Sequence, residues 1–436
     1  MITSTAFAGK KYAILGLARS GMAVLDALLA SGAEVVAWDN QSEVRDSVQD
    51  RVTISDLMET DLSDCDAIVV SPGVPLNTHP IVQKAEQDGV PVIGDIELFA
   101  QARASLPEHK VVGITGTNGK STTTALLTHI LRSNDRAALM GGNIGLPIMS
   151  QEPLSAGGTY VLELSSYQID LTLSLDCEVA ILINISPDHL DRYDSFDHYA
   201  ASKARLFDMM TADHTAIISG ADEKSQMVLE LLRQDGRIHD IVDLSTAEGR
   251  GQEDWPSLQG PHNLQNAIVA ASAASALGLN ETQIRNALTS FRGLPHRMER
   301  IAEANGVLFL NDSKATNPAS TGPALGAYSK IHWILGGLAK EDNLDECAPY
   351  FGNVLRAYTI GEAAATFEAL LAPHMPVEPC EMMLTAVQQA AANAQPGEVV
   401  LLSPACASFD QFKDFEARGE CFASSVNSVI EKNQIG

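Results

Sequence analysis

The segment Gly116-Thr117-Asn118-Gly119-Lys120-Ser121-Thr122 has the residue types and order to hold a phosphate chain. It follows the apolar run Val111 to Thr115 and precedes the helical run Ala125 to Leu131, so a strand, a glycine turn and a helix start aim backbone N–H groups at one point. Lys120 is placed to reach β- and γ-phosphates, and the hydroxyl of Ser121 or Thr122 to help hold Mg²⁺. The loop is shorter than G-x-x-x-x-G-K-[ST], because Ile114 stands where the first glycine belongs. ATP with Mg²⁺ is the expected ligand. Further metal donors are offered by Glu163, a carboxylate inside the apolar run Tyr160 to Leu164, which is costly there unless paired or metal-bound. Asp188-His189-Leu190-Asp191 follows the apolar run Val179 to Ile183, where open parallel sheets build their sites. Zinc binding and a solvated acidic loop are the alternatives for that segment.

A second glycine turn, Gly16-Leu17-Ala18-Arg19-Ser20-Gly21, follows Tyr12 to Leu15, and Asp39 closes the next apolar run, Val35 to Trp38. The pattern resembles a dinucleotide fingerprint with Ala18 in place of its middle glycine, which weakens an NAD reading and leaves another nucleotide diphosphate. Ser71-Pro72-Gly73 supplies a further turn at the same sheet edge, while Asn40-Gln41 offers a diphosphate no cation.

These turns need strands to carry them. Short β-branched runs alternate with Ala/Leu-rich helical stretches, the βαβ rhythm of parallel sheets covered by helices. An α/β chain of three domains is expected, with boundaries at 1–98, 99–295 and 296–436 set by polar or Gly/Pro-rich breaks near Arg103 to Lys110 and Phe291 to Pro295. The charge of −26 and pI near 4.7 argue against generic attraction to nucleic acid or anionic membrane, so anionic ligands must be held by local cations. The longest helix-like apolar stretch, Ala267 to Leu279, is too short to span a bilayer. Met1 to Phe7 lacks a secretory pattern, so a cytoplasmic location is expected, with the six cysteines reduced.

Taken with Gly142-Asn143-Ile144-Gly145, Glu163-Leu164-Ser165-Ser166 and His262-Asn263-x-x-Asn266, these motifs resemble the ATP-dependent ligases that build the peptidoglycan stem peptide. The resemblance covers the whole chain. His296-Arg297, Asn311-Asp312-Ser313-Lys314 and Ser403-Pro404-Ala405-Cys406-Ala407-Ser408 are similar to the D-glutamate-adding branch, and no D-N-P-R run of the diaminopimelate- or lysine-adding branches is present.

The resemblance implies a Rossmann-like N-terminal domain for a UDP-linked substrate, a central P-loop ATPase-like domain with a parallel or mixed sheet, and a Rossmann-like C-terminal domain for the amino acid. It implies transfer of the γ-phosphoryl group to the carboxylate of UDP-N-acetylmuramoyl-L-alanine and attack on the acyl phosphate by D-glutamate. Cell-wall biogenesis, and with it cell shape and division, would depend on the product. By position, Lys120, His189 and Lys203 would be catalytic, and Ser121, Glu163, His189 and Lys203 would serve two Mg²⁺ sites. Lys203 aligns with a lysine carbamylated in relatives, although on residues alone Lys203 and Arg205 read as a solvated helix face.

ATP would be held by residues 116–122 with His262, Asn263, Asn266, Arg297 and Asp312. The UDP-substrate would meet Gly16, Leu17, Ala18, Asp39, Asn40, Ser71 and Asn143. D-glutamate would meet Lys314, Thr316, Lys340, Ser408 and Phe415. A monomer acting on small molecules, with no nucleic-acid partner and no membrane insertion, is expected. Another stem-peptide or folylpolyglutamate-type ligase, a nucleotide-triphosphate switch and an NAD-linked oxidoreductase are the alternatives.

Overall fold

Apolar β-branched runs build three separate sheets in the computed structural model, which describes residues 1–188, 192–238, 240–245, 251–339 and 343–434. The first sheet has five parallel strands in the spatial order Thr53–Ile54, Glu34–Trp38, Lys11–Leu15, Ala67–Val70, Val92–Ile93. The order of strand addition switches sides between the parallel strands Lys11–Leu15 and Ala67–Val70, which opens a crevice beyond their carboxyl ends. The two glycine-containing turns leave the sheet at that crevice.

The second sheet has six strands, all parallel, in the order Asp240–Asp243, Thr215–Ile218, Val179–Leu182, His109–Thr115, Gly158–Glu163, Ala138–Gly142. Its switch point lies between His109–Thr115 and Val179–Leu182, so the loop containing Lys120 and the segment after Leu182 emerge side by side. Strand Gly158–Glu163 is buried throughout, and Glu163 is its last residue, at the site end of the sheet.

The third sheet is mixed: Glu299–Ala304 pairs antiparallel with Val307–Asn311, and Val399–Leu402, Ile331–Gly336, Val354–Ile360 and Val377–Glu381 follow in parallel. Along Ile331–Gly336 the side chains alternate between two apolar clusters, Trp333 and Leu335 into one and Ile334 into the other, as a sheet covered on both faces requires.

The chain divides into two compact units, 1–248 with 266–287 and 249–265 with 288–436. Within the first unit one apolar cluster runs from Tyr12 and Leu28 through Phe99 and Tyr160 to Leu206, so the first two sheets share a continuous core. Phe99 meets Tyr160 edge-on at 5.0 Å, and Gly94 N–H donates to the Leu171 carbonyl. All six cysteines are free thiols, and among the described residues no helix is long and apolar enough to cross a membrane.

Candidate active site

The helix Lys120–Arg132 starts on Gly119, whose backbone has φ 85°. A side chain there would be strained, and its Cβ would lie 2.2 Å from Asn266 Oδ1. Asn266 is buried and also accepts from Thr123 Oγ1 at 3.3 Å, so it braces the loop and first turn of the helix. From the other side Asn184, just past strand Val179–Leu182, accepts the N–H groups of Thr117 and Asn118 on Oδ1 at 3.2 and 2.9 Å and donates to the Asn118 carbonyl at 3.2 Å. The loop is therefore held before any ligand arrives.

Lys120 Nζ donates to the carbonyls of Gly116 at 2.9 Å and Thr117 at 2.7 Å. Lys203 Nζ reaches the same Gly116 carbonyl, also at 2.9 Å. Lys203 is buried on helix Phe196–Asp208, 4.5 Å from the Tyr199 ring centroid, and Tyr199 OH lies 3.2 Å from Thr117 Oγ1. This corrects the reading of Lys203 as a solvated helix face. Tyr199, Lys203 and Leu206 recur at spacings of four and three, so Lys203 occupies the helix's inward stripe. Arg205, one step round, is partly exposed and bonds to Asp170 and Thr172. Burial, and then the neighbouring Lys120 charge, push the Lys203 ammonium well below the ordinary lysine range.

Glu163 completes this corner. Its Oε1 accepts from Asn143 Nδ2 at 3.0 Å, while its Oε2 is buried with no hydrogen-bond partner. Ile114, at the start of the phosphate turn, is in register with Glu163, and Ser121 is buried in the first turn of the helix. A buried acceptor-only oxygen without a donor beside a phosphate cradle suits a hard divalent cation that takes its remaining ligands from phosphate and water. Among the described residues no three His, Cys, Asp or Glu side chains cluster as a self-contained metal site. His189 and Lys340, singled out from sequence, lie outside the described residues.

At the crevice of the first sheet, Ser71 Oγ donates to the Gly16 carbonyl at 2.8 Å, and Leu17 N–H donates to Asp39 Oδ2 at 2.7 Å. Asp39 Oδ1 accepts from Gln41 N–H, so this acid ties the Gly16 turn to the segment after strand Glu34–Trp38. Ala18 is exposed at φ −69°, the N-cap position of helix Arg19–Ala30, where no glycine is required. Asn40 is exposed.

In the second unit His262 Nδ1 is buried without a partner, and burial lowers the imidazole to about 4, so the ring is neutral at pH 7. Asn263 donates to the Gln259 carbonyl at 3.1 Å. Asp312 accepts from Met298 N–H and Ser403 Oγ, with half-buried Arg297 contributing attraction. Burial nevertheless pushes its carboxyl up to about 7. Lys314 Nζ sits 4.0 Å from the Phe415 ring centroid, Thr316 N–H donates to the Lys314 carbonyl, and Ser408 is buried nearby in sequence to the bridge between Leu338 and Ala407.

The profile described as the Mur ligase MurD-like N-terminal domain matches residues 10–94, the Mur ligase middle domain 114–250, and the Mur ligase glutamate ligase domain 296–406. A protein of Novosphingobium aromaticivorans named UDP-N-acetylmuramoylalanine--D-glutamate ligase is 62% identical across 100% of this chain and 98% of its own. One of the same name from Sphingopyxis alaskensis is 56% identical across 98% and 100%. The chain belongs to the Mur ligase family. The MurF ligase of Thermotoga maritima, solved in complex with ADP, shares the Mur ligase fold at a TM-score of 0.59 and 16% identity, across 98% of this chain and 96% of that one.

Several residues of this Mur ligase site escape a reading by motif. Asn184 acts on the phosphate loop through three side-chain hydrogen bonds and Tyr199 through one, and the only sequence signal for Asn184 is its place just past a buried strand. Arg45 packs its guanidinium 4.4 Å from the Trp38 ring centroid and donates to the Asp39 and Asn40 carbonyls, supplying the cation that Asn40-Gln41 lacks. Asp95 is buried with one carboxylate oxygen unpartnered, and burial pushes it up to about 6.

Asp312 gives a pH signature. The unfolded chain ionises this group at the ordinary 3.8 and the folded chain at about 7, so between these values the folded state holds the extra proton and loses stability as pH rises. Asp312→Asn should therefore gain on the wild type across that interval and level off above it, by up to about 4 kcal/mol. Paired thermal unfolding curves measured from pH 5 to about 9 test this; a difference that stays flat contradicts it.

Proposed function

We infer that this chain is an ATP-dependent ligase that joins D-glutamate to UDP-N-acetylmuramoyl-L-alanine in peptidoglycan precursor synthesis, releasing ADP and phosphate. The observation that carries this reading is the meeting of Lys120, Lys203 and the Gly116 carbonyl in a chain 62% identical to a protein named for that reaction.

A carboxylate is a poor electrophile at neutral pH, and phosphorylation converts one of its oxygens into a leaving group. The L-alanyl carboxylate attacks the γ-phosphorus, ADP departs, the D-glutamate amine adds to the acyl carbon, and phosphate leaves with the former carboxylate oxygen. Lys120 offsets the repulsion between carboxylate and γ-phosphate and follows the charge onto the transferred group. Asn143 orients Glu163. Bound Mg²⁺ would neutralise phosphate charge, with Ser121 and Glu163 as ligands of one ion and His189 and Lys203 of a second. His262, Asn263, Asn266, Arg297 and Asp312 are assigned to ATP, the crevice from Gly16 to Ala18 with Asp39, Asn40, Arg45 and Ser71 to the uridine diphosphate, and Lys314, Thr316, Lys340, Ser408 and Phe415 to D-glutamate. The functional division follows 1–98, 99–295 and 296–436, in a cytoplasmic monomer.

Lys203 is assigned as a carbamate. Its depressed basicity leaves a neutral amine that adds to carbon dioxide, forming an N–C bond and releasing one proton, and the resulting anion replaces a second cation beside Lys120 with a metal ligand.

Phosphate release from ATP with UDP-N-acetylmuramoyl-L-alanine should proceed with D-glutamate and fall by more than about 100-fold with L-glutamate or D-aspartate. Equal release without any acceptor would instead favour a nucleotide switch. For Lys203→Ala, turnover should drop by at least about 1,000-fold and recover in part with a short carboxylic acid; loss without any recovery contradicts the carbamate.

A further inference from the structure

Arg418 is the only arginine fully buried among the described residues, and it lies near the start of helix Phe415–Gln434 in the second unit. Its Nε donates to Ser313 Oγ at 3.0 Å and one terminal nitrogen to the Ser313 carbonyl at 2.8 Å. The other terminal nitrogen donates to the carbonyls of Cys406 at 3.0 Å and Ala407 at 3.2 Å. Gly337 closes over it: a Cβ there would sit 3.1 Å from that nitrogen. Ser313, Gly337 and Cys406 belong to the segments that follow strands Val307–Asn311, Ile331–Gly336 and Val399–Leu402, which are neighbours in the sheet. One guanidinium thus hydrogen-bonds the carboxyl-end loops of two strands and packs against that of a third.

Every hydrogen-bond partner of Arg418 is a neutral oxygen. Removing an arginine charge from water is costly unless an anion compensates. Asp410 lies close enough for long-range attraction, but it makes no ion pair with Arg418; its Oδ2 accepts the Glu362 N–H and its Oδ1 is buried without a partner. The loops that Arg418 bonds carry Lys314 directly after Ser313, Thr316 two residues further on, and Ser408 directly after Ala407. Phe415, whose carbonyl accepts from Ser313 Oγ, backs the Lys314 ammonium. A cation without an ion partner placed under these residues is the arrangement that a dianionic ligand above them would compensate.

We propose that Arg418 is the positioning residue of the acceptor subsite, fixing the loops that carry Lys314, Thr316 and Ser408 and supplying from beneath the positive charge that selects a dicarboxylic amino acid. This rests on the reading of the chain as a D-glutamate-adding ligase and adds a residue that touches none of the reacting atoms. The planar fork matters as much as the charge, because lysine presents its donors from a single nitrogen and cannot bridge Ser313 to Cys406 and Ala407.

The test is steady-state kinetics of Arg418→Lys and Arg418→Gln in the full chain, varying D-glutamate, ATP and UDP-N-acetylmuramoyl-L-alanine in turn, with acyl phosphate trapped separately in the absence of D-glutamate. The KM for D-glutamate should rise about tenfold in the lysine variant and further in the glutamine variant, while the other two KM values and acyl-phosphate formation stay within about twofold of wild type. Should the glutamine variant not fold, the lysine variant decides. An unchanged D-glutamate KM overturns the proposal, as does a parallel loss in all three KM values and in acyl-phosphate formation, which would make Arg418 a general structural residue. A wild-type enzyme that forms no acyl phosphate would instead sink the ligase reading itself.

Discussion

The Gly116 carbonyl, accepting from two lysine ammonium groups at once, is the constraint around which the central site is arranged. Two cations on one oxygen repel each other, and that repulsion adds to burial in making the Lys203 ammonium give up its proton readily. Burial of Lys203 in turn depends on helix Phe196–Asp208 presenting Tyr199, Lys203 and Leu206 to the sheet, and on Ser195 capping that helix by accepting the His198 N–H. The outcome is a cation, Lys120, held on two loop carbonyls next to a lysine whose charged form burial disfavours.

The same economy of charge recurs through the molecule. A chain of net charge −26 must handle phosphates and carboxylates with few cations, and it places them at the carboxyl ends of parallel strands. Arg45 stacks on Trp38 at the edge of the first sheet, Lys120 and Lys203 meet at the second, and Lys314 packs on Phe415 at the third, above the buried Arg418. Aromatic faces and backbone carbonyls contribute to holding these cations. Glu163 supplies the complementary case, a buried oxygen without a donor that a metal ion would satisfy.

Much of this arrangement was legible from residue order. The parallel sheets follow from continuous apolar runs such as Ala180 to Ile183, and the phosphate loop from glycines between a strand and a helix. Glu163 stood out as a carboxylate in an apolar run, although its place at the strand's last residue, facing the site, needed the register with Ile114. What local order could not convey was contact between distant segments. Lys203 read as solvated because lysine usually is, and only the packing of its helix shows it buried. Asn184, Asn266 and Arg418 act through partners 66, 143 and 105 residues away, separations at which no local pattern survives.

The central claim is that the phosphoryl group moves onto a carboxylate before the amide bond forms. Following oxygen tests it most directly: UDP-N-acetylmuramoyl-L-alanine labelled with ¹⁸O in its terminal carboxylate is turned over with ATP and D-glutamate, and the released phosphate is read by mass spectrometry. An acyl-phosphate route predicts one labelled oxygen in each phosphate formed. Phosphate that emerges unlabelled while the amide product accumulates would contradict it.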